Sequence, residues 1–359
     1  MVPALAVADA LRADGHHVAF TGGDRAEARL VPAAGYELHP LKVEGLSRSN
    51  PLKAARGAAR AVAALGAARR IVRAERPDVV VGGGGYVAGP VGAVASARRI
   101  PLVLTEADSH LGLTNRLLAR RARRVCLAFP IAGLDAPLYR VTGRPVPPQT
   151  ADRAAARARF RLADGETCVL VFGGSLGARS INEAAVEAFA TLRPGLRILH
   201  ACGERDFAAL RARVDDPVRP GYDLRAYIDG FADALAACDL TVARSGGSVF
   251  EIAAAGRPAI LVPYPHAAAD HQTGNARWMV DGGGALLIPD PELTAASLGA
   301  AVDGLLDDPG RLARMASASA ALARPDAAAD IAGEVVAAAT AADGGRDGAA
   351  GPGRGRGRR

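Results

Sequence analysis

From Leu240 the chain is apolar for four residues, breaks at Ser245-Gly246-Gly247, has helical composition over residues 248–255, stops at Gly256-Arg257-Pro258 and becomes apolar again at 259–262. That order of strand, glycine turn, helix, stop and strand recurs along the chain. It predicts strands at 17–21, 36–39, 79–81, 101–105, 124–129 and 138–142 in a first half, and at 168–172, 197–201 and 225–228 ahead of this segment in a second. Helical runs fall at 4–13, 51–73 and 327–341. Short apolar strands alternating with helices define an α/β protein built on parallel sheets. With 359 residues, two domains of roughly 150 residues are the default, and the Gly143-Arg144-Pro145-Val146-Pro147-Pro148 run reads as the linker. The expected division is 1–149, 150–325, a helix at 326–341 packing back on the first domain, and a tail at 342–359.

Five of the strand ends carry candidate chemistry. A strand that feeds a helix through small residues presents backbone N–H groups at the carboxyl end of the sheet, where an anion binds. Glu251 falls in the first turn of the helix after Ser245-Gly246-Gly247, where a carboxylate can accept from the two hydroxyls of a ribose; Ser248-x-x-Glu251 equally matches a capping box. The next loop gathers Asp270, His271, Gln272 and Asn275, side chains that bond sugars and bases. Gly173-Gly174-Ser175-Leu176-Gly177-Ala178 opens the second half in the same strand, turn, helix order, and Gly82-Gly83-Gly84-Gly85-Tyr86-Val87-Ala88-Gly89-Pro90 does so in the first. The strand at 101–105 ends in Glu106-Ala107-Asp108, where a general base belongs; the other role open to Glu106 is to hold the helix start at Asn115.

RSGG, E-I-A-A-A-G-R-P and D-H-Q-T-G-N-A, read together, resemble the nucleotide-sugar half of the MurG family, over residues 2–341. That family is the peptidoglycan N-acetylglucosaminyltransferase. The resemblance implies the GT-B fold, two Rossmann-like doubly wound domains facing a cleft, and transfer of N-acetylglucosamine from UDP-N-acetylglucosamine to lipid I, forming lipid II with inversion. It implies donor binding by Gly174, Ser175, Gly177, Arg244, Ser245, Gly246, Glu251, Gln272 and Asn275, with Glu251 on the ribose, Gln272 on the sugar and Arg244 as a cation beside the diphosphate. Acceptor binding falls on Gly83, Gly84, Tyr86, Asp108 and Asn115, catalysis on Glu106. A backbone group near Phe231 would meet uracil. The chain departs from the family pattern in four places. Leu176 replaces a glutamine in the Gly173–Ala178 turn. Thr105 and Asp108 replace a histidine and an asparagine around Glu106; Pro147 replaces an arginine; and Met1-Val2-Pro3 leads straight into a helix where the family has a first strand and a glycine loop with a histidine.

Composition narrows the alternatives. Aromatic residues are only 4 %, and no run of 18 uncharged apolar residues occurs. Of the formal +7, the Gly/Arg-rich stretch from Asp343 to Arg359 supplies +3, so disorder is expected there and nucleic acid is not the expected partner. Cys126, Cys168, Cys202 and Cys238 have no metal-ligand or C-x-x-C spacing, and reduced, packed thiols are expected. No D-x-D-like metal site is present, so neither metal nor cofactor is expected. The basic, alanine-rich run at 51–73, with Val62, Leu65, Ile71 and Val72, is either an ordinary solvated helix or a contact with anionic headgroups. The family's lipid acceptor places the protein at the cytoplasmic face of the cell membrane, as a peripheral protein. Two other readings stay open: a UDP-sugar binder that has lost catalysis along with its first glycine loop, and another UDP-sugar glycosyltransferase or a UDP-N-acetylglucosamine epimerase, the second of which does not explain the Gly82–Pro90 loop.

Overall fold

A computed structural model describes residues 1–41, 51–150, 152–174, 177–215 and 219–347; the side chains of residues 51–61, 86 and 342–347 fall outside that description. Ser175, the Tyr86 side chain and residues 348–359 therefore lie outside the described set. The chain divides into two compact units, Met1–Pro145 joined by the segment from Asp326, and Val146–Pro325.

The first unit runs α1 (Val2–Ala13), β1 (Ala19–Gly22), α2 (Ala26–Ala33), β2 (Glu37–Pro40), α3 (Pro51–Glu75), β3 (Val80–Gly82), α4 (Gly85–Ala97), β4 (Leu102–Glu106), α5 (Leu113–Leu118), β5 (Arg124–Leu127) and β6 (Tyr139–Val141). The second runs α6 (Arg153–Arg159), β7 (Thr167–Phe172), α7 (Arg179–Ala188), β8 (Leu196–Ala201), α8 (Glu204–Asp215), β9 (Tyr222–Arg225), α9 (Phe231–Ala237), β10 (Leu240–Ala243), α10 (Ser248–Ala254), β11 (Ala259–Leu261), α11 (His271–Asp281), β12 (Ala285–Leu287), α12 (Ala295–Leu306) and α13 (Pro309–Ala321), after which α14 (Ala327–Asp347) returns to the first unit.

In the second unit six parallel strands lie in the order β9-β8-β7-β10-β11-β12, with each register parallel. All four residues of β10 and five of the six in β7 are buried, which is why these strands read as unbroken apolar runs: helices cover both faces, and no position is left for polar alternation. Val169, Val171, Val242 and Ile260 pack there with Ile181, Leu298 and Val302 from α7 and α12. Truncating Ile260 to Ala in such a core would cost about 2–5 kcal/mol.

In the first unit β3-β4-β5-β6 form one parallel sheet and β1-β2 a separate parallel pair. Val7 and Leu11 of α1 meet Ile331, Ala332, Val335 and Ala338 of α14 over Val103 and Cys126. Glu334 fastens α14 to the sheet by accepting from Arg124 and Arg140; burial pushes its carboxyl up, but those two hydrogen bonds hold it below the usual carboxylate range. The cysteines are free and buried, and burial pushes the Cys126 and Cys168 thiols up to about 12.

Three differences from the sequence reading stand out. The strand expected at 225–228 lies at Tyr222–Arg225, because Tyr222 and Leu224 are the inward alternating pair after the Gly221 turn, and the chain has left the sheet by Ile228. β12 was not anticipated. The backbone of α14 continues to Asp347, beyond the helix end expected at 341.

Candidate functional site

The second unit's strand order is 3-2-1-4-5-6 in order of appearance, and its direction reverses between β7 and β10. At such a reversal the loops leaving the carboxyl ends diverge and leave a ligand crevice. Phe172 and Ala243 are register partners and end their strands level, so the turns that begin at Gly173 and Arg244 leave the sheet side by side. Gly174 and Gly177 belong to the first of these turns. Gly177 has φ +72°, and a Cβ there would collide with the Cys202 carbonyl oxygen, so only glycine closes the turn. α7 begins at once and, among the described residues, no side chain caps it, which leaves first-turn N–H groups for an anion.

Behind that turn is a buried polar chain. Asn182 of α7 donates to the Cys202 carbonyl at 2.9 Å and to Asp206 at 3.0 Å, and its Oδ1 lies 3.1 Å from His200 Nε2. His200 Nδ1 meets the Tyr222 hydroxyl at 2.8 Å. The Asn182 amide assigns the tautomer: its oxygen needs a donor, so Nε2 carries the proton and Nδ1 accepts from Tyr222. Burial lowers His200 to about 3, so it stays neutral.

Around β10 the structure joins Ser245, Gln272 and Asn275. The Ser245 hydroxyl donates to the Gln272 carbonyl at 2.7 Å, and the buried Asn275 amide donates to the Ser245 carbonyl at 3.1 Å. Gln272 Oε1 accepts from the Tyr264 N–H at 3.0 Å; a Cβ on Gly246 would stand 3.9 Å from the other end of that amide. These bonds fix the start of α11 to the turn after β10. Ala269 and Asp270 precede α11 with φ +52° and +53°, an uncommon conformation for residues other than glycine.

Arg244 is placed differently from a free cation. Its guanidinium is buried and donates to the Val262 and Pro263 carbonyls, to Asp290 and to Ser180. It ties β10 to β11 and α7 and so shapes the crevice. Glu251 also resolves a choice the sequence left open. The N-cap of α10 is Gly247, Ser248 is already helical, and its hydroxyl turns back to the Arg244 carbonyl, so no capping box forms. Glu251 remains half-buried on the first turn of α10.

In the first unit, the end of β4, the start of α5 and the turn after β3 meet. Asn115, 1 % exposed, donates to the Thr105 carbonyl at 3.0 Å and to Glu106 Oε2 at 2.9 Å. Glu106 also accepts from Gly112 N–H at 2.8 Å, Ala107 N–H at 3.0 Å and Asp108 N–H at 3.4 Å. Four donors match about four lone-pair positions, so the carboxylate holds the 106–115 loop together at the end of β4. Gly84, φ +76°, lets the turn pass the Asn115 amide, and a Cβ there would lie 3.5 Å from Nδ2. Gly83 lies beside the Thr105 hydroxyl, the Thr114 hydroxyl donates to the Gly85 carbonyl at 3.0 Å, and Asp108 is half-buried. The motif reading attached no role to Asn182, His200, Ser180 or Asp290. Only Asn182 and Ser180 had a local signal, their place in the run after the glycine turn.

A parallel 3-2-1-4-5-6 sheet with glycine turns on both sides of its reversal, in a chain that also carries a second parallel α/β unit, is the architecture of the GT-B class. The models of the glycosyltransferase family 28 N-terminal and C-terminal domains match residues 1–127 and 168–331. The UDP-N-acetylglucosamine–N-acetylmuramyl-(pentapeptide) pyrophosphoryl-undecaprenol N-acetylglucosamine transferase of Halorhodospira halophila is 41 % identical over 336 residues, 92 % of each chain. The crystal structure of MurG from Acinetobacter baumannii superposes with a TM-score of 0.75 at 30 % identity, covering 93 % of this chain and 95 % of that one. A putative UDP-N-acetylglucosamine 2-epimerase from Listeria monocytogenes, at 16 % identity and a TM-score of 0.65 over 92 % of both chains, shares the fold alone. The chain belongs to the MurG family.

Proposed function

We propose that this protein transfers N-acetylglucosamine from UDP-N-acetylglucosamine to the C4 hydroxyl of the muramoyl sugar of lipid I, forming lipid II. The observation that carries the reading is Glu251, half-buried on the first turn of α10 at the sheet reversal, in a chain whose relatives bear that transferase name. Glu251 would accept from the ribose hydroxyls of UDP. The uncapped start of α7 and the Ser245–Gly247 turn would face the diphosphate, where negative charge grows as UDP leaves. The oxygen of the acceptor's C4 hydroxyl attacks the anomeric carbon as the bond to the β-phosphate oxygen breaks, turning an α linkage into β, and the hydroxyl proton passes to a carboxylate at the end of β4 or to water. Asn275 and Ser245 hold Gln272 in place for the sugar, and Arg244 acts through Ser180 and Asp290 by fixing the crevice walls. In the first unit Glu106 and Asn115 hold the loop that carries Asp108, and Gly83–Gly84 approach the acceptor's diphosphate.

No described helix is long and apolar enough to cross a membrane. A lipid acceptor then requires contact from the cytoplasmic face, and two helices suit it. α3 exposes Val62 (69 %) and Leu65 (41 %), about two turns and one turn ahead of Arg69, and α5 exposes Leu113 and Leu117 around Arg116. Val72 is not part of that face; it is buried with Ala68 and Val94.

The test is UDP release and product mass with UDP-N-acetylglucosamine and a lipid I analogue. A product heavier by one N-acetylhexosamine, made only with the muramoyl acceptor, is expected. UDP binding without transfer to that acceptor would reduce the protein to a nucleotide-sugar binder, and a free epimerised sugar nucleotide would make it an epimerase.

A further inference from the structure

Glu37, His39 and Glu75 bring three potential ligand atoms within 4.8 Å of one another, and neither glycine turn contributes to the group. The local structure explains the meeting. Residues 37 and 39 are two apart on β2 and share one face, and Glu75 is the last residue of α3.

Two carboxylates meet at one imidazole nitrogen. His39 Nε2 lies 2.9 Å from Glu75 Oε1 and 3.6 Å from Glu37 Oε1, yet it is enclosed and makes no aligned hydrogen bond. An imidazole nitrogen carries at most one proton and can satisfy only one carboxylate. Here two converge on it, and among the described residues no arginine or lysine pairs with either. Ligand atoms around a tetrahedral zinc ion with bonds of about 2.0–2.1 Å stand about 3.3 Å apart; the 2.9 and 3.6 Å separations bracket that value.

We propose that Glu37, His39 and Glu75 form a binding site for a zinc-type divalent cation, with one nitrogen and two oxygen ligands and water completing the tetrahedron. A mixed nitrogen and oxygen set of three favours zinc over magnesium, which requires octahedral oxygen coordination. The ion neutralises the two carboxylates and clips β2 to the end of α3. It is a structural site in the first unit and takes no part in the transfer reaction.

The test uses tag-free, metal-stripped full-length protein titrated with Zn²⁺ against a chromophoric chelator, with Co²⁺ absorption reporting coordination. One equivalent of zinc and the intense visible bands of tetrahedral cobalt are expected, with little response to Mg²⁺. His39→Gln and Glu75→Gln should each weaken zinc binding by about tenfold or more, and His16→Gln should not change it. Zinc should raise the melting temperature of the parent and not of the two ligand variants. Circular dichroism establishes that each variant is folded, and either variant alone suffices. Absence of stoichiometric zinc, or equal affinity in the parent and the folded ligand variants, overturns the proposal.

Discussion

Glu106→Gln keeps the side chain's shape and removes its charge, and the structure sets what must follow. The two carboxylate oxygens take separate donors: Ala107 and Asp108 N–H on Oε1, Gly112 N–H and the Asn115 amide on Oε2. A glutamine has one oxygen and one NH2, so in either orientation two donors face a donor. Each hydrogen bond to a charged acceptor is worth about 1.5–3 kcal/mol, and the loss of two at this buried position is about 3 kcal/mol at the lower end. For a unit of about 180 residues, where 1 kcal/mol moves the midpoint by roughly 2–4 °C, the first unit's melting temperature should fall by about 6–12 °C. Scanning calorimetry reads that transition, and titration with UDP reads the second unit, whose donor affinity should not change. Loss of transfer alone does not separate the roles, because a missing base and a slack loop both lower it. The result that refutes the clamp is transfer reduced a hundredfold or more with the melting temperature within about 1 °C of the parent, which would return Glu106 to the role of general base.

Glu251→Ala should weaken UDP by about tenfold while changing the affinity for 2′-deoxy-UDP much less, since one of the two hydroxyl bonds is already absent; equal losses by calorimetry would remove Glu251 from the ribose. Gly177→Ala forces a Cβ against the Cys202 carbonyl at φ +72°, and UDP affinity should drop by more than about tenfold in a chain that still folds; unchanged binding would show that the turn does not meet the diphosphate. His200 is neutral when folded, with its value lowered to about 3, and takes a proton near pH 6.5 when unfolded. The second unit's stability is therefore fully present above about pH 6.5 and falls by up to about 1.4 kcal/mol per pH unit toward pH 3. Melting curves from pH 7 to 4.5 should show that slope, and His200→Asn should flatten it; the same slope in the variant would place the acid sensitivity elsewhere.

What was legible in the sequence was what the chain decides locally. β10 and its glycine turn appear at their residues because four buried positions, three of them apolar, and three small residues need no distant partner to declare themselves. β9 was displaced by three residues because Ala226, Tyr227 and Ile228 look as strand-like as Tyr222–Arg225, and only pairing with β8 selects between them. β12 has three residues and owes its state to β11. The spacing of Ser248 and Glu251 is the same in a capping box and outside one; Gly247 taking the N-cap decided it. Arg244 looked free because its carboxylate, Asp290, is 46 residues away, and the two carbonyls it satisfies have no sequence signature. The relation of Glu106 to Gly112 and Asn115 is shorter in range, but it depends on how the loop folds back.

The contact between α1 and α14 means that the second unit is inserted within the first: the chain begins the first unit, completes the second, and only then supplies α14. On the ribosome, at roughly 5–20 residues per second, synthesis of the second unit takes roughly 10–40 s. Throughout that interval Val7, Leu11, Val103 and Cys126 lack the helix that covers them in the finished protein. The six-stranded unit can mature meanwhile from contiguous sequence. A nascent chain stalled near Pro325 should therefore bind UDP while its amino-terminal part remains a substrate for chaperones that hold apolar surface, and α14 should release it.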